Sequence, residues 1–389
     1  MMPEKQEFDS IIIFIRKLFN KPEEVIPLHE PVFSGREKEL LVNCIETTYV
    51  SSVGEYVDLF EKNVAVYTGS KYAVSCVNAT AAIHISLLLA GVKPGEEVIT
   101  QPITFIATVN AITYCGAVPV FVDVNSEMPG MSAEKLESWL KSNIRIDKST
   151  GQAVNKSTGR RVTACLPVHV FGHPCDMDAI MLVCDHYNIP VVEDAAESLG
   201  SLYHNEHTGT FGKMGVLSFN GNKIITTGGG GMIITNDKEL AERAKHLTTQ
   251  AKVPHAWEMA HDAIGYNYRL PNINAALGVA QLEKLEEFIT IKRRIAKEYE
   301  QFFSKLEEVD FIAEPTQTRS NYWLNTLIFK DPKMRNGFLE YTNRKGVLTR
   351  PVWHLISGLP MYRYCQHGDL SNANWLGQRM VNLPSSAIS

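Results

Sequence analysis

Between residues 27 and 252, short apolar runs alternate with longer helix-patterned stretches, and that alternation confines the chain to an α/β architecture with a mostly parallel sheet. The strand candidates fall at residues 72–77, 97–100, 118–122, 164–168, 191–193, 216–218 and 231–235. The first runs straight into Asn78-Ala79-Thr80-Ala81-Ala82 and an apolar helix reaching residue 89. The second is followed by Thr104-Phe105-Ile106-Ala107-Thr108, which opens another helix. Two turn signals eight residues apart, Asp147-Lys148-Ser149-Thr150-Gly151 and Asn155-Lys156-Ser157-Thr158-Gly159, predict a surface hairpin rather than a duplicated fold.

A chain of 389 residues exceeds one ordinary domain. The predicted division is a helical extension over 1–26, a large domain over 27–264, and a connecting helix with a smaller C-terminal α/β domain over 265–389. The connector is the charge-rich helical pattern at 275–306, and residues 323–329 read as a strand beyond it. The apolar run at 11–15, flanked by Asp9, Arg16 and Lys17, is too short to span a bilayer and lacks a small-residue cleavage site. It predicts a short amphipathic helix packed on the body or on a second subunit. A net charge of -5 gives no electrostatic reason to expect nucleic acid or an anionic membrane as partner. The seven scattered cysteines have no metal-knuckle or redox spacing, so buried reduced thiols in a cytoplasmic protein are expected.

The chemistry concentrates around Lys223. It closes the run Ser218-Phe219-Asn220-Gly221-Asn222-Lys223 and is followed by two isoleucines, two threonines and the glycines at 228–231. Upstream, an apolar run ends in acids, Val191-Val192-Glu193-Asp194-Ala195-Ala196-Glu197. A strand-end carboxylate with a Ser and a Lys five residues apart in a small-residue loop suits pyridoxal phosphate. The Lys condenses with the aldehyde, the Asp keeps the pyridine nitrogen protonated, and the Ser takes part of the phosphate.

Each element also has a plainer explanation. Asn78 or Thr80 could simply cap a helix, and cap and phosphate site stand equally open at this point. Asp194 could cap the next helix, Phe105 taken alone fits a core position better, and an isolated lysine is ordinarily solvated. Lys223 departs from that rule because a surface lysine needs no small, glycine-rich setting. Other cofactors fit less well. The glycines precede an apolar strand instead of following one, which removes a dinucleotide fingerprint and with it a nicotinamide reductase. No Walker lysine follows them. His169 and His173 are four apart but lack the glutamate of a zinc helix, so loop or substrate contacts are expected of them and no metal.

Taken together, these stretches and Gly265-Tyr266-Asn267-Tyr268-Arg269 resemble the DegT-type sugar aminotransferases, pyridoxal-phosphate enzymes of the aspartate-aminotransferase fold. The resemblance implies that Lys223 bonds the cofactor and shuttles the proton, Asp194 partners the pyridinium, and Phe105 stacks on the ring. Ala79, Thr80 and Ser218 would bind the phosphate and Glu197 would lie near the cofactor hydroxyl. Asn267, with Arg269, would reach in from a neighbouring subunit of a homodimer. Dehydratase relatives carry His at the lysine position, so Lys223 favours transamination.

Ile26-Pro27-Leu28-His29-Glu30-Pro31, Val50-Ser51-Ser52-Val53-Gly54, Asn321-Tyr322-Trp323-Leu324-Asn325 and Arg350-Pro351-Val352-Trp353-His354 look like the branch that makes bacillosamine and legionaminic-acid precursors. That likeness implies glutamate-driven amination at C4 of a UDP-2-acetamido-2,6-dideoxy-4-hexulose for surface polysaccharide such as O-antigen. GDP-linked keto sugars stay open, as do a dehydratase and a cofactor-bound regulator. His169, Arg269, Trp353 and His354 are the candidate substrate contacts. Relatives often continue past Asn382-Leu383-Pro384 into a final helix, so a short C-terminus is expected.

Overall fold

The computed structural model describes residues 3–388. Its centre is a sheet built as two parts. One has the order Tyr72–Cys76, Gly231–Thr235, Met214–Ser218, Val192–Asp194, and the other the order Val118–Phe121, Glu97–Thr100, Val162–Leu166. Parallel bridges Cys165–Val191 and Val168–Asp194 join them into seven consecutive strands. Strand Gly231–Thr235 pairs antiparallel on both sides, and the remaining pairings in this sheet are parallel. The strands expected from the apolar runs are therefore present, within a residue or two at each end.

Period-two alternation sends successive side chains to opposite faces. Val74, Val216 and Ile233 pack against helix Ala79–Leu89, helix Ile106–Tyr114 and helix Lys238–Thr248. Leu217, Met232 and Ile234 instead meet Phe60 of helix Glu55–Thr68 and Val279 of helix Asn272–Leu282. Phe60 is fully buried and lies 4.8 Å, centroid to centroid, from Phe219 at the start of the lysine loop. Helix packing on this face thus props the chain immediately before Lys223.

A second sheet is wholly antiparallel, in the order Val309–Phe311, Asn325–Phe329, Met380–Leu383, Arg350–Pro351. Helices Leu285–Phe303 and Pro332–Arg344 cover it. The N-terminal helix, Pro3–Leu18, presents Phe8, Ile11, Ile12 and Ile15 to the same cluster. Their i, i+3, i+4, i+7 spacing is the apolar stripe of a half-buried helix, and of the two places expected for it, this one is the body of the same chain.

The helical stretch expected at 275–306 is two helices, broken at Glu283 and Lys284 between Asn272–Leu282 and Leu285–Phe303. The predicted hairpin is present as Ile144–Ile146 paired with Ala153–Asn155, and the second turn signal leads into Val162–Leu166. All seven cysteines are free thiols, six of them buried. No helix among the described residues is long and apolar enough to cross a membrane.

Removing the ring of Phe60 leaves a cavity beneath the lysine loop. Phe60→Ala is expected to lower unfolding free energy by about 3–5 kcal/mol, measured by urea denaturation.

Candidate active site

Strand register assembles the site at one edge of the central sheet. Parallel pairing puts Val216 beside Asp194, so the chain leaving each strand brings Ser218 and Asp194 to the same edge. Antiparallel pairing sets Ser218 opposite Gly231. Gly231 touches the first turn of the next helix so closely that an added Cβ would lie 2.5 Å from the Ala79 backbone nitrogen. Strand, glycine and helix start are therefore packed backbone to backbone.

Helix Ala79–Leu89 begins there, capped by the Asn78 side chain, which accepts from the Ala81 N–H at 2.8 Å. The cap satisfies a later amide and leaves those of Ala79 and Thr80, the first two of the helix, pointing outward without intrahelical partners. Cap and anion seat, open alternatives in the sequence, are compatible. Asn78 caps, and the two amides with the positive end of the helix remain for an anion.

Three acids follow one another at the next strand end with different partners. Glu193 is fully buried, accepting from Gly209 and Phe211 N–H and paired with His169 at 3.0 Å. Glu197 pairs with Lys223 Nζ at 3.2 Å and accepts from the Phe171 N–H at 2.8 Å. Asp194 lies between them, only 3% exposed, and has no ion-pair partner among the described residues. Thr108 Oγ1 donates to its Oδ2 at 2.6 Å and the Ala196 N–H to its Oδ1 at 3.1 Å. Burial pushes the Asp194 carboxyl above the usual carboxylate range, while those hydrogen bonds and the charge of Lys223 pull the other way. Burial also raises Glu197, with Lys223 and the Phe171 amide opposing.

A cavity of about 380 Å³ lies over these groups. Ala79, Thr80, Phe105, Asp194, Glu197, Ser218 and Lys223, all singled out in the sequence, line it. Phe105 is 53% exposed, which excludes the core position its type suggested and leaves its ring at the cavity. Trp323, Thr108 and Asn222 also line it and were not assigned from sequence. Lys223 Nζ lies 3.9 Å from the centroid of the Trp323 ring, whose Nε1 donates to the Asn222 carbonyl at 2.7 Å. Buried Asn321 fixes that loop by donating to the carbonyls of Glu197 and Leu199 and accepting from the Trp323 N–H. Trp323 is a hundred residues from Lys223, and no local pattern in the sequence links them.

A larger cavity of about 720 Å³ adjoins the first, with Asn222, Trp323 and Trp353 in the walls of both. His354 lines only the larger one. The remaining two substrate candidates stand elsewhere. His169 has no exposed surface: Nδ1 accepts from the Cys175 N–H at 3.1 Å, leaving the proton on Nε2 to donate to Glu193. With both ring nitrogens engaged it cannot contact substrate, and its backbone N–H instead supports the Asp194 carbonyl at 3.1 Å. His173, expected with it at a loop or substrate, is likewise buried and lines neither cavity. Arg269 donates to Asn267 Oδ1 at 3.0 Å, and this pair lies outside both cavities.

A buried carboxylate lacking a cation, a helix start with free amides, an exposed aromatic ring and a lysine amine, all on one small cavity, fit pyridoxal phosphate. Its pyridinium, phosphate, ring face and aldehyde match those four features in turn. Fold and site together define a pyridoxal-phosphate-dependent aminotransferase of the aspartate-aminotransferase fold type.

Comparison with known proteins makes the assignment specific. Residues 33–387 match the model of the DegT/DnrJ/EryC1/StrS aminotransferase family, and the chain belongs to that family. It is 38% identical to the GDP-perosamine synthase of Escherichia coli O157:H7, over 92% of this chain and 93% of that one. It is 36% identical to the GDP-perosamine synthase of Caulobacter vibrioides, over 93% of each. Among solved structures it superposes on the aminotransferase TlmJ from Streptoalloteichus hindustanus with TM-score 0.83 and 28% identity, covering 92% of this chain and 93% of that one.

Because a methyl group at 231 would collide with backbone at residues 78 and 79, Gly231→Ala is expected to displace the helix start. Its affinity for pyridoxal phosphate should fall by about tenfold or more, read by absorbance titration of the apoprotein.

Proposed function

We propose that this enzyme moves the amino group of glutamate to C4 of a nucleotide-linked 4-keto-6-deoxy sugar, supplying an amino sugar for surface polysaccharide. The observation that carries the nucleotide-linked part is the charge of the larger cavity. Arg335 and Arg350 stand in its walls beside two histidines, and no Asp or Glu lines it, in a chain of net charge -5. Arg335 is spent on the carbonyls of Gly377 and Gln378, Arg350 on Asn343 and the Thr349 carbonyl, and neither meets a carboxylate among the described residues. Guanidinium groups without acids suit a diphosphate. The relatives named GDP-perosamine synthase support GDP as the nucleotide, in place of the UDP expected from the sequence motifs.

When bound, pyridoxal phosphate supplies an aldehyde that condenses with amines and a ring that takes up the electron pair released at the amine-bearing carbon. The Ala79 and Thr80 amides with the Ser218 hydroxyl would hold its phosphate, and Phe105 would cover its ring. Asp194, deprived of any other cation, favours a positive ring nitrogen, and Thr108 with Ala196 keeps its carboxylate aimed. Lys223 Nζ takes the α-proton of glutamate and later delivers a proton to the sugar carbon. Glu197 and the Trp323 face hold that amine between deliveries, and Trp323 with Trp353 restricts water at the junction of the two cavities. The working unit in this reading is a homodimer whose second subunit contributes Asn267 and Arg269. Its support is their position outside both cavities and the exposed apolar surface of Val53, Trp257 and Ile264.

The deciding experiment offers glutamate with GDP- and UDP-linked 4-keto-6-deoxy sugars and identifies the product by mass spectrometry and NMR. A glutamate-dependent 4-amino sugar, formed faster on GDP, is expected. Ammonia release or no amination refutes the proposal, and preference for UDP refutes its nucleotide. Lys223→Ala should keep its circular dichroism spectrum and lose at least about 100-fold in turnover. Arg335→Gln with Arg350→Gln should raise KM for the sugar nucleotide roughly 10–100-fold and leave KM for glutamate nearly unchanged.

A further inference from the structure

His29 has no task in the cofactor chemistry, yet it lines the larger cavity together with Asn222, Trp323 and Trp353, the three residues that cavity shares with the one over Lys223. Its Nδ1 and Nε2 are both buried, and neither has a hydrogen-bond partner among the described residues. A neutral imidazole always offers one donor and one acceptor, and leaving both unmet in a protein interior is unfavourable. Three fully enclosed histidines set the contrast. His169 uses both nitrogens, and His207 accepts from the Gly200 N–H and bonds the Thr208 carbonyl. His173 is also unpartnered, but it lies edge-on to Tyr322 and lines neither cavity, so nothing could reach it.

The backbone carrying His29 is fixed on both sides. The Ser385 N–H donates to the Leu28 carbonyl at 2.7 Å, and the Glu30 N–H to Ser386 Oγ at 2.9 Å. Lys292, fully buried, donates to the carbonyls of both Trp323 and Ser385, so one amine ties the Trp323 loop to the segment holding Leu28. The ring is neutral: burial, then the charges of Lys292 and Lys223, hold it well below the ordinary imidazole value. The Cβ–Cγ torsion of a histidine is intrinsically broad, and a turn about it would bring a ring nitrogen to the cavity that the residue lines.

We infer that His29 recognises the sugar ring of the substrate, hydrogen-bonding a hydroxyl or carbonyl oxygen through its unpartnered imidazole edge. The inference rests on the reading that a nucleotide-linked keto sugar occupies this cavity. It adds the contact that selects the sugar once the arginines have taken its anionic carrier. A neutral ring suits an uncharged oxygen better than the carboxylates of glutamate, so the two half-reactions should depend on His29 differently.

The test separates those half-reactions in the purified holoenzyme. Loss of cofactor absorbance on adding glutamate reports the first, and its return on adding the GDP-linked keto sugar reports the second. His29→Leu is expected to lower kcat/KM for the sugar about tenfold or more, with the glutamate rate within about twofold of wild type. His29→Gln, which keeps a donor and an acceptor, should recover most of the sugar rate, whereas a space-filling role would be served as well by leucine. Equal loss in both half-reactions, an unimpaired His29→Leu, or no advantage of glutamine over leucine overturns the assignment. A wild-type enzyme that responds to glutamate but aminates no nucleotide-linked sugar fails differently, because the parent reading falls and the ligand assigned to His29 falls with it.

Discussion

A carboxylate buried without a cation of its own is the constraint around which this molecule is arranged. Asp194 is shut from water at the end of a central strand, between two acids that are each already paired. Burying an unpaired charge is costly unless a partner arrives, so the position suits a positive group brought in from outside. The sheet supplies that geometry. Parallel register sets Val216 against Asp194, antiparallel register sets Ser218 against Gly231, and Gly231 in turn admits the helix that starts at Ala79. Buried acid, helix start and lysine loop are thus brought together by two neighbouring strand pairings and the close packing at Gly231. Even the props are long-range, since Phe60 supports Phe219 from another helix and Thr108 reaches Asp194 across eighty-six positions.

What could be read from the sequence follows from how local each signal is. Buried strands announce themselves as apolar runs, and the strand-end residues that line the smaller cavity sit directly after those runs. Lys223, Asp194, Ser218 and Thr80 could therefore be singled out before any fold was known. The break at Glu283 and Lys284 was hidden because a charged pair inside a helical pattern carries no breaker residue. His169 misled for a related reason. A histidine at a strand end looks the same whether it faces a cavity or a buried glutamate, and Glu193, which decides the matter, lies twenty-four positions away. Trp323 and Thr108 were missed because their importance lies in whom they meet after folding.

The two cavities differ in the origin of their walls. The smaller is lined mostly by strand ends and helix starts of the central sheet, where backbone packing leaves little freedom. The larger draws on Leu28 and His29 near one end of the chain, on Trp323, and on Arg335, Arg350 and Asn382 around the second sheet. Substitutions there disturb no strand register of the central sheet. The larger cavity can therefore vary without disturbing the amine, the acid and the helix start of the smaller one, because side chains make the one and backbone pairing makes the other.

Such separation requires a stiff joint, or a substrate held by the second sheet would drift relative to Lys223. Lys292 provides one. Its amine donates to the carbonyls of Trp323 and Ser385, linking the loop that covers Lys223 to the segment that anchors Leu28. Burial lowers its pKa to about 7, so near neutrality the group exists in both protonation states. An amine donates hydrogen bonds in either state, and both of its acceptors are backbone carbonyls that do not titrate. A lysine–carboxylate pair in that place would lose its attraction on protonation of the acid, and a hydroxyl has a single proton to offer. A buried lysine bound to two carbonyls keeps the joint closed in either protonation state, which makes the unusual burial of its amine intelligible as a requirement of alignment.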